Sequence, residues 1–255
     1  MNIACLYFSG TGNTKWLSET LYENLRAEGV DVTLFDLEKE VHFDHHDYDK
    51  FIVAHPVYGA TVPRLVIEKV DDLIPGNRKL IIVATYGFVN ALGYYAEKNM
   101  LGRKIKAYFN VKMFNDVCTP GFRSPVKPVE KRLKSKTNIE RKIARIAHDI
   151  AANKNRIQGI GPQLLIGIRI RKAVREGLHT YYQTLGVDLN RCTHCGLCVR
   201  KCPTHSIEET DGNFVFDATC TACTRCYNQC PEQAITIKGK YADPEIYTRY
   251  TGPWK

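Results

Sequence analysis

The chain has 255 residues, 44% of them hydrophobic and 25% charged. That is the makeup of a globular protein with room for one ordinary domain and a small second one. No apolar run approaches the roughly 18 residues a membrane span needs. The N-terminus also lacks a basic region and a small-residue cleavage site, so the expectation is a cytoplasmic protein with no transmembrane segment. The formal charge of +9 is uneven, because residues 127–186 hold 14 Lys/Arg against 4 Asp/Glu. Such a patch raises nucleic acid as a ligand. The expectation is instead a solvated helical surface that balances bound anions, with no nucleic acid.

In chain order, Ile3–Phe8 is a short apolar run ended by Ser9-Gly10, as suits a buried parallel strand. Leu17, Leu21 and Leu25 then recur at helical spacing over 14–28, and Gly29 closes that helix. Val30–Phe35 and Phe51–Ala54 are the next strands, with a helix over 63–73 opening on Pro63. Leu80–Ala84 is the most hydrophobic strand, Ala91–Leu101 a helix, and Ile105–Phe114 a fifth strand. A stretch bearing Pro120, Pro125 and Pro128 interrupts the pattern. Beyond it, Ile139, Ile143, Ile146, Ala147 and Ile150 share one helical face. Five strands alternating with helices predict an α/β fold with a doubly wound five-stranded parallel sheet. Ligands of such sheets bind at the carboxyl ends of the strands, near the switch in strand order. Residues 160–175 mix an apolar run with basic charge, which suits a linker helix between domains or a surface contact.

Eight of the ten cysteines crowd between Cys192 and Cys230. Cys192-x2-Cys195-x2-Cys198-x3-Cys202-Pro203 is repeated as Cys220-x2-Cys223-x2-Cys226-x3-Cys230-Pro231. Three thiolates at two-residue gaps wrap three irons of a cubane, and the fourth, starting a new element, serves the other cluster. The expected sets are therefore Cys192, Cys195, Cys198 and Cys230 for the first [4Fe-4S] cluster. Cys220, Cys223, Cys226 and Cys202 serve the second. Zinc ribbons also use paired C-x2-C, but zinc gives no reason for the third cysteine. Short apolar strands are expected at Ser206-Ile207-Glu208 and Ala234–Ile237, with a turn at Asp211-Gly212-Asn213. Over 187–239 this unit resembles the bacterial two-cluster ferredoxin. Cys5 reads as an inert core residue, and Cys118 has no assigned role.

Directly after the first strand comes Ser9-Gly10-Thr11-Gly12-Asn13-Thr14, running into a helix. Hydroxyls, an amide and two glycines at a helix N-terminus suit a phosphate dianion. The Walker pattern is absent, and Lys15 stands where the dinucleotide fingerprint needs its third glycine. This loop resembles that of the flavodoxin family, and the element order of roughly the first 155 residues agrees. The resemblance implies FMN, with its ring held by two further loops. The matching positions are Pro56, Val57, Tyr58 and Gly59 after the third strand, and Thr85, Tyr86 and Gly87 after the fourth. Both loops lack acidic residues and His55 adjoins one of them, so the family's very low potentials are not carried over.

The joined arrangement resembles the bacterial and archaeal ferredoxin–flavodoxin fusion family. The expected layout is a flavodoxin-like FMN-binding domain at 1–155, a basic linker at 156–186, a small α+β two-cluster ferredoxin-like domain at 187–240, and a tail at 241–255. The resemblance implies an electron carrier that relays single electrons between FMN and two [4Fe-4S] clusters, serving redox partner proteins not identified by sequence. Two alternatives stand beside it. One is a flavin-dependent reductase of a small acceptor such as a quinone. The other is an iron–sulfur carrier whose flavodoxin-like domain only docks.

Overall fold

β1 (Asn2–Tyr7), β2 (Asp31–Asp36), β3 (Lys50–Pro56), β4 (Leu80–Tyr86) and β5 (Ile105–Lys112) form one parallel sheet in the order β2-β1-β3-β4-β5. The computed structural model describes residues 1–87, 93–116, 126–159, 174, 177–241 and 249–254. The predicted strands are all present, and the strand order reverses at β1, between β2 and β3. That is the flavodoxin-like arrangement, with its ligand crevice between the carboxyl ends of β1 and β3.

Both faces of the sheet are covered, which is why its strands read as continuous apolar runs. α1 (Asn13–Ala27) and α4 (Val129–Ala151) pack on Ile3, Cys5, Ile52 and Phe109. α2 (Arg64–Leu73) and α3 (Gly93–Leu101) pack on Ala4, Leu6, Val53 and Ile82. In β5 Ala107, Phe109 and Val111 are buried and so is Tyr108 between them, so the strand does not separate a wet face from a dry one. Burial pushes the Cys5 thiol up to about 12, as befits an inert core residue.

α4 begins at Val129, ten residues before the first apolar position of the predicted helix. Its early turns are held by polar anchoring. Arg132 is buried and donates to the carbonyls of Gly252 (2.7 Å) and Pro253 (3.0 Å), while Leu133 beside it is exposed. The basic excess lies partly on this helix, with Lys131, Lys134, Arg141 and Arg145 exposed. Most of 160–175, and Cys118, lie outside the described residues.

In the C-terminal part, β6 (Leu185–Val187) pairs antiparallel with β9 (Ile235–Ile237), and β7 (Ile207–Thr210) with β8 (Asn213–Phe216). Short helices α5 (Leu197–Arg200) and α6 (Arg225–Gln229) follow the cysteine loops. One apolar cluster joins the two parts. It holds Phe114 beyond β5, Tyr227 and Ile235 of the cysteine-rich part, and Tyr250 of the C-terminal segment. Among the described residues no helix is long and apolar enough to cross a membrane.

Candidate metal centres and phosphate loop

Each cysteine loop turns tightly because residues between its cysteines adopt left-handed backbone: His194 (φ 53°) and Gly196 (φ 64°) in the first, Ala222 (φ 56°) and Thr224 (φ 55°) in the second. Alternating right- and left-handed residues aim successive N–H groups into one concavity, which suits an anion. Two cavities result. The first, about 360 Å³ of atom-free space, is lined by Cys192, Cys195, Cys198 and Cys230. The second, about 330 Å³, is lined by Cys202, Cys220, Cys223 and Cys226. The fold thus brings together both expected sets of four, each borrowing its last cysteine from the other repeat. The exchange arises because α5 and α6 carry Cys202 and Cys230 away from their own loops. Four thiols around one cavity is the donor set of a cubane cluster. Backbone N–H groups already point at the borrowed sulfurs, Ser206 N–H to Cys202 Sγ at 3.4 Å and Ala234 N–H to Cys230 Sγ at 3.2 Å. The two sites differ in exposure: Cys195 is exposed, whereas Cys223 is buried.

The Ser9–Thr14 loop sits at the switch point, with Gly12 at φ 106° just before α1. Ser9, Thr11, Asn13 and Thr14 are all buried. Ser9 Oγ accepts from the Gly12 N–H at 3.1 Å, and the Thr14 and Thr85 hydroxyls bond at 2.8 Å. The donor chemistry fits a phosphate, but protein groups lie against the loop. The Thr11 hydroxyl bonds the carboxyl of Asp116, and burial raises that carboxyl above its ordinary value, opposed by the Thr11 bond. Tyr250 bonds the Asn13 amide oxygen, and a Cβ on Gly12 would stand 3.3 Å from Gly252 Cα.

The second cysteine loop rests directly on the same loop. Arg225, between Cys223 and Cys226, donates to the carbonyls of Gly10 and Ser9, each at 2.6 Å, and to Lys201 O at 2.9 Å. Its guanidinium forks onto Glu38, with one bond at 2.7 Å. A Cβ on Gly10 would stand 2.9 Å from Cys223 Cβ and against the Tyr58 hydroxyl. Tyr58 is therefore wedged between the phosphate loop and the second cavity.

The loops after β3 and β4 are neighbours. Val57 N–H donates to Thr85 O at 2.8 Å, and the Tyr58–Thr61 turn is closed by bonds at 3.2 and 2.8 Å. Gly59 (φ 52°) faces Val174 and Leu178, and a Cβ there would meet Val174 Cγ1 at 2.6 Å. Pro56 O accepts from His55 Nδ1 at 3.0 Å. Tyr86 is half-buried, and Gly87 lies against Asn115. Beneath them His55 Nε2 meets Glu97 Oε1 at 2.5 Å, both side chains fully buried. Burial opposes a charge on His55, but the Glu97 carboxylate and the hydrogen bonds to Glu97 and Pro56 O outweigh it and raise its pKa. Arg225, Glu38, Asp116, Arg132 and Tyr250 were not singled out by sequence. The only available signal was a charged residue inside a cysteine loop.

Residues 185–208 and 217–238 match family models described as 4Fe-4S binding domain. The C-terminal part therefore carries two 4Fe-4S binding domains, behind a sheet of flavodoxin-like strand order. That combination is the makeup of an electron-transfer protein. No curated protein matches the chain. Solved structures similar to it include a Streptococcus pneumonia TIGR4 flavodoxin (17% identity, TM-score 0.42), covering 60% of this chain and 99% of that one. A flavodoxin from the domain Archaea has 16% identity and TM-score 0.41, covering 60% and 97%. The two-electron reduced Megasphaera elsdenii flavodoxin has 18% identity and TM-score 0.40, covering 57% and 97%.

Proposed function

We propose that this chain relays single electrons between FMN at the sheet crevice and two [4Fe-4S] clusters, ligated by the two crossed cysteine sets. The observation that carries the reading is the seat of Cys223 and Arg225 on Ser9 and Gly10, with Tyr58 between. A cysteine of one cavity in contact with the crevice of the other part suits transfer within the molecule. Joining both parts in one chain also keeps their effective concentration high. Bound FMN would supply a centre that exchanges one or two electrons. Ser9, Gly10, Thr11, Gly12, Asn13 and Thr14 would bind its phosphate, while Pro56–Gly59 and Thr85–Gly87 would border its ring. Tyr58 would shield that crevice from water on the side of the second cavity. His55 and Glu97 hold a proton beneath the ring loops. The proposed parts are 1–155 for the flavodoxin-like domain and 187–240 for the ferredoxin-like one, in a cytoplasmic setting with redox proteins as partners.

A second reading makes the flavodoxin-like part a docking module alone. It draws on Asp116, Tyr250 and Gly252, which take up space against the phosphate loop. Anaerobic purification with iron and flavin analysis separates the two. About eight irons and one FMN per chain are expected of the relay. Thr11→Ala with Thr14→Ala should then weaken FMN binding and leave iron unchanged. Eight irons with no flavin after reconstitution would sink the relay and leave the docking module.

A further inference from the structure

We infer that the hydroxyls of Tyr181 and Thr221, together with Ser206, donate hydrogen bonds to the cluster site of Cys202, Cys220, Cys223 and Cys226, and hold its reduction potential up. This rests on the crossed ligand sets proposed above. Among the described residues, Tyr181 Oη and Thr221 Oγ1 are buried without a hydrogen-bond partner, and both residues line the second cavity. A buried hydroxyl left unsatisfied costs about 1–3 kcal/mol, so two beside one cavity call for an acceptor there. Cluster and cysteine sulfurs are such acceptors, and hydrogen bonds to them are one of the determinants of potential.

The internal repeat supplies its own control. Thr221 corresponds to Thr193, each following the first cysteine of its loop, but Thr193 is exposed and Thr221 is 8% exposed. Ser206 corresponds to Ala234, each four residues after the borrowed cysteine. Both backbone N–H groups reach that sulfur, yet only Ser206 adds a hydroxyl, 3.2 Å from Cys202 Sγ. Hydroxyl donors are thus concentrated on one of two otherwise similar sites. It is the dry one, since the first cavity includes the exposed Cys195. Burial disfavours the extra negative charge gained on reduction, so an undressed inner cluster would lag behind its solvated twin. The hydroxyls offset that burial and keep the inner site able to accept an electron from the outer one. Tyr181 contributes as a phenol, whose O–H is a hydrogen-bond donor. Arg225 also lines this cavity, but its charge is answered by Glu38.

The test is an EPR-monitored redox titration of the anaerobic, cluster-loaded full chain carrying Tyr181→Phe, Thr221→Val or Ser206→Ala. Each should shift the reduction equilibrium of one cluster about tenfold towards the oxidised form, about 59 mV for one electron, and leave the other cluster in place. The iron content should stay at about eight. Unmoved potentials at full iron would overturn the hydroxyl role alone, as would equal shifts of both clusters. A parent chain that never holds eight irons would overturn the ligand sets and this inference together. Should a variant lose iron, proton ENDOR on the reduced parent decides the matter. An exchangeable proton beyond the backbone N–H signals, coupled to the inner cluster, supports the role; its absence refutes it.

Discussion

Arg225 is the side chain on which the two parts of the chain most visibly depend. Replacing it with alanine removes the bonds to Ser9 O, Gly10 O and Lys201 O and leaves Glu38 without its partner. The arginine side chain is 11% exposed and Glu38 21% exposed, so the pair is largely dry. Removing one member of a buried pair costs about 3–5 kcal/mol, and the residual wetting of Glu38 argues for the lower end, about 3 kcal/mol. For a chain of this size each kcal/mol moves the melting temperature by about 2–4 °C, so a fall of about 6–12 °C is expected. The assay is thermal unfolding of the cluster-loaded protein, followed by circular dichroism and by visible absorbance of the clusters. A cycle combining Arg225→Ala with Glu38→Gln should show coupling of about 1–2 kcal/mol, since the two groups act as a unit. A variant that melts within 1 °C or so of the parent, with additive effects in the cycle, would show that the two parts are not held here.

The His55–Glu97 pair makes stability depend on pH. His55 has a folded pKa raised above its ordinary 6.5, so its contribution is fully present below about pH 6.5 and is lost as pH rises through the folded value. Urea unfolding from pH 6 to 9 should show that loss in the parent and not in Glu97→Gln. Arg132→Ala should cost about 3 kcal/mol, because a buried cation bonded to two carbonyls and placed 5.1 Å from the Tyr250 ring is removed. Limited trypsin digestion should then cut after Arg249 sooner than in the parent, and equal rates would argue that the segment is held otherwise. Gly10→Ala should destabilise by about 1–3 kcal/mol, since its Cβ would stand 2.9 Å from Cys223 Cβ. A neutral result in the melting assay would mean that the cysteine loop can retreat without cost.

What the sequence determined by itself is local. Cysteines at two-residue gaps specify tight loops whatever surrounds them, so both loops are legible in the spacing, and each cavity is lined by one expected set of four. The alternation of apolar runs with helical faces likewise predicts a parallel α/β sheet, because strands buried on both sides cannot hide their composition. Ser9–Thr14 was legible for the same reason, as a turn and a helix start. The tertiary structure decided what meets across the chain. Glu38 and Arg225 are 187 residues apart, and Tyr250 reaches Asn13 across 237. Neither pair belongs to a period or a motif. Asp116 follows β5 as an ordinary loop acid and becomes a part-buried partner of Thr11 only when the sheet closes. Thr193 and Thr221 hold the same place in the repeat, yet one is wet and one dry. Burial is a property of the packed surroundings, and hydrogen-bond demand follows burial, so the inequality of the two cluster sites emerged only in three dimensions.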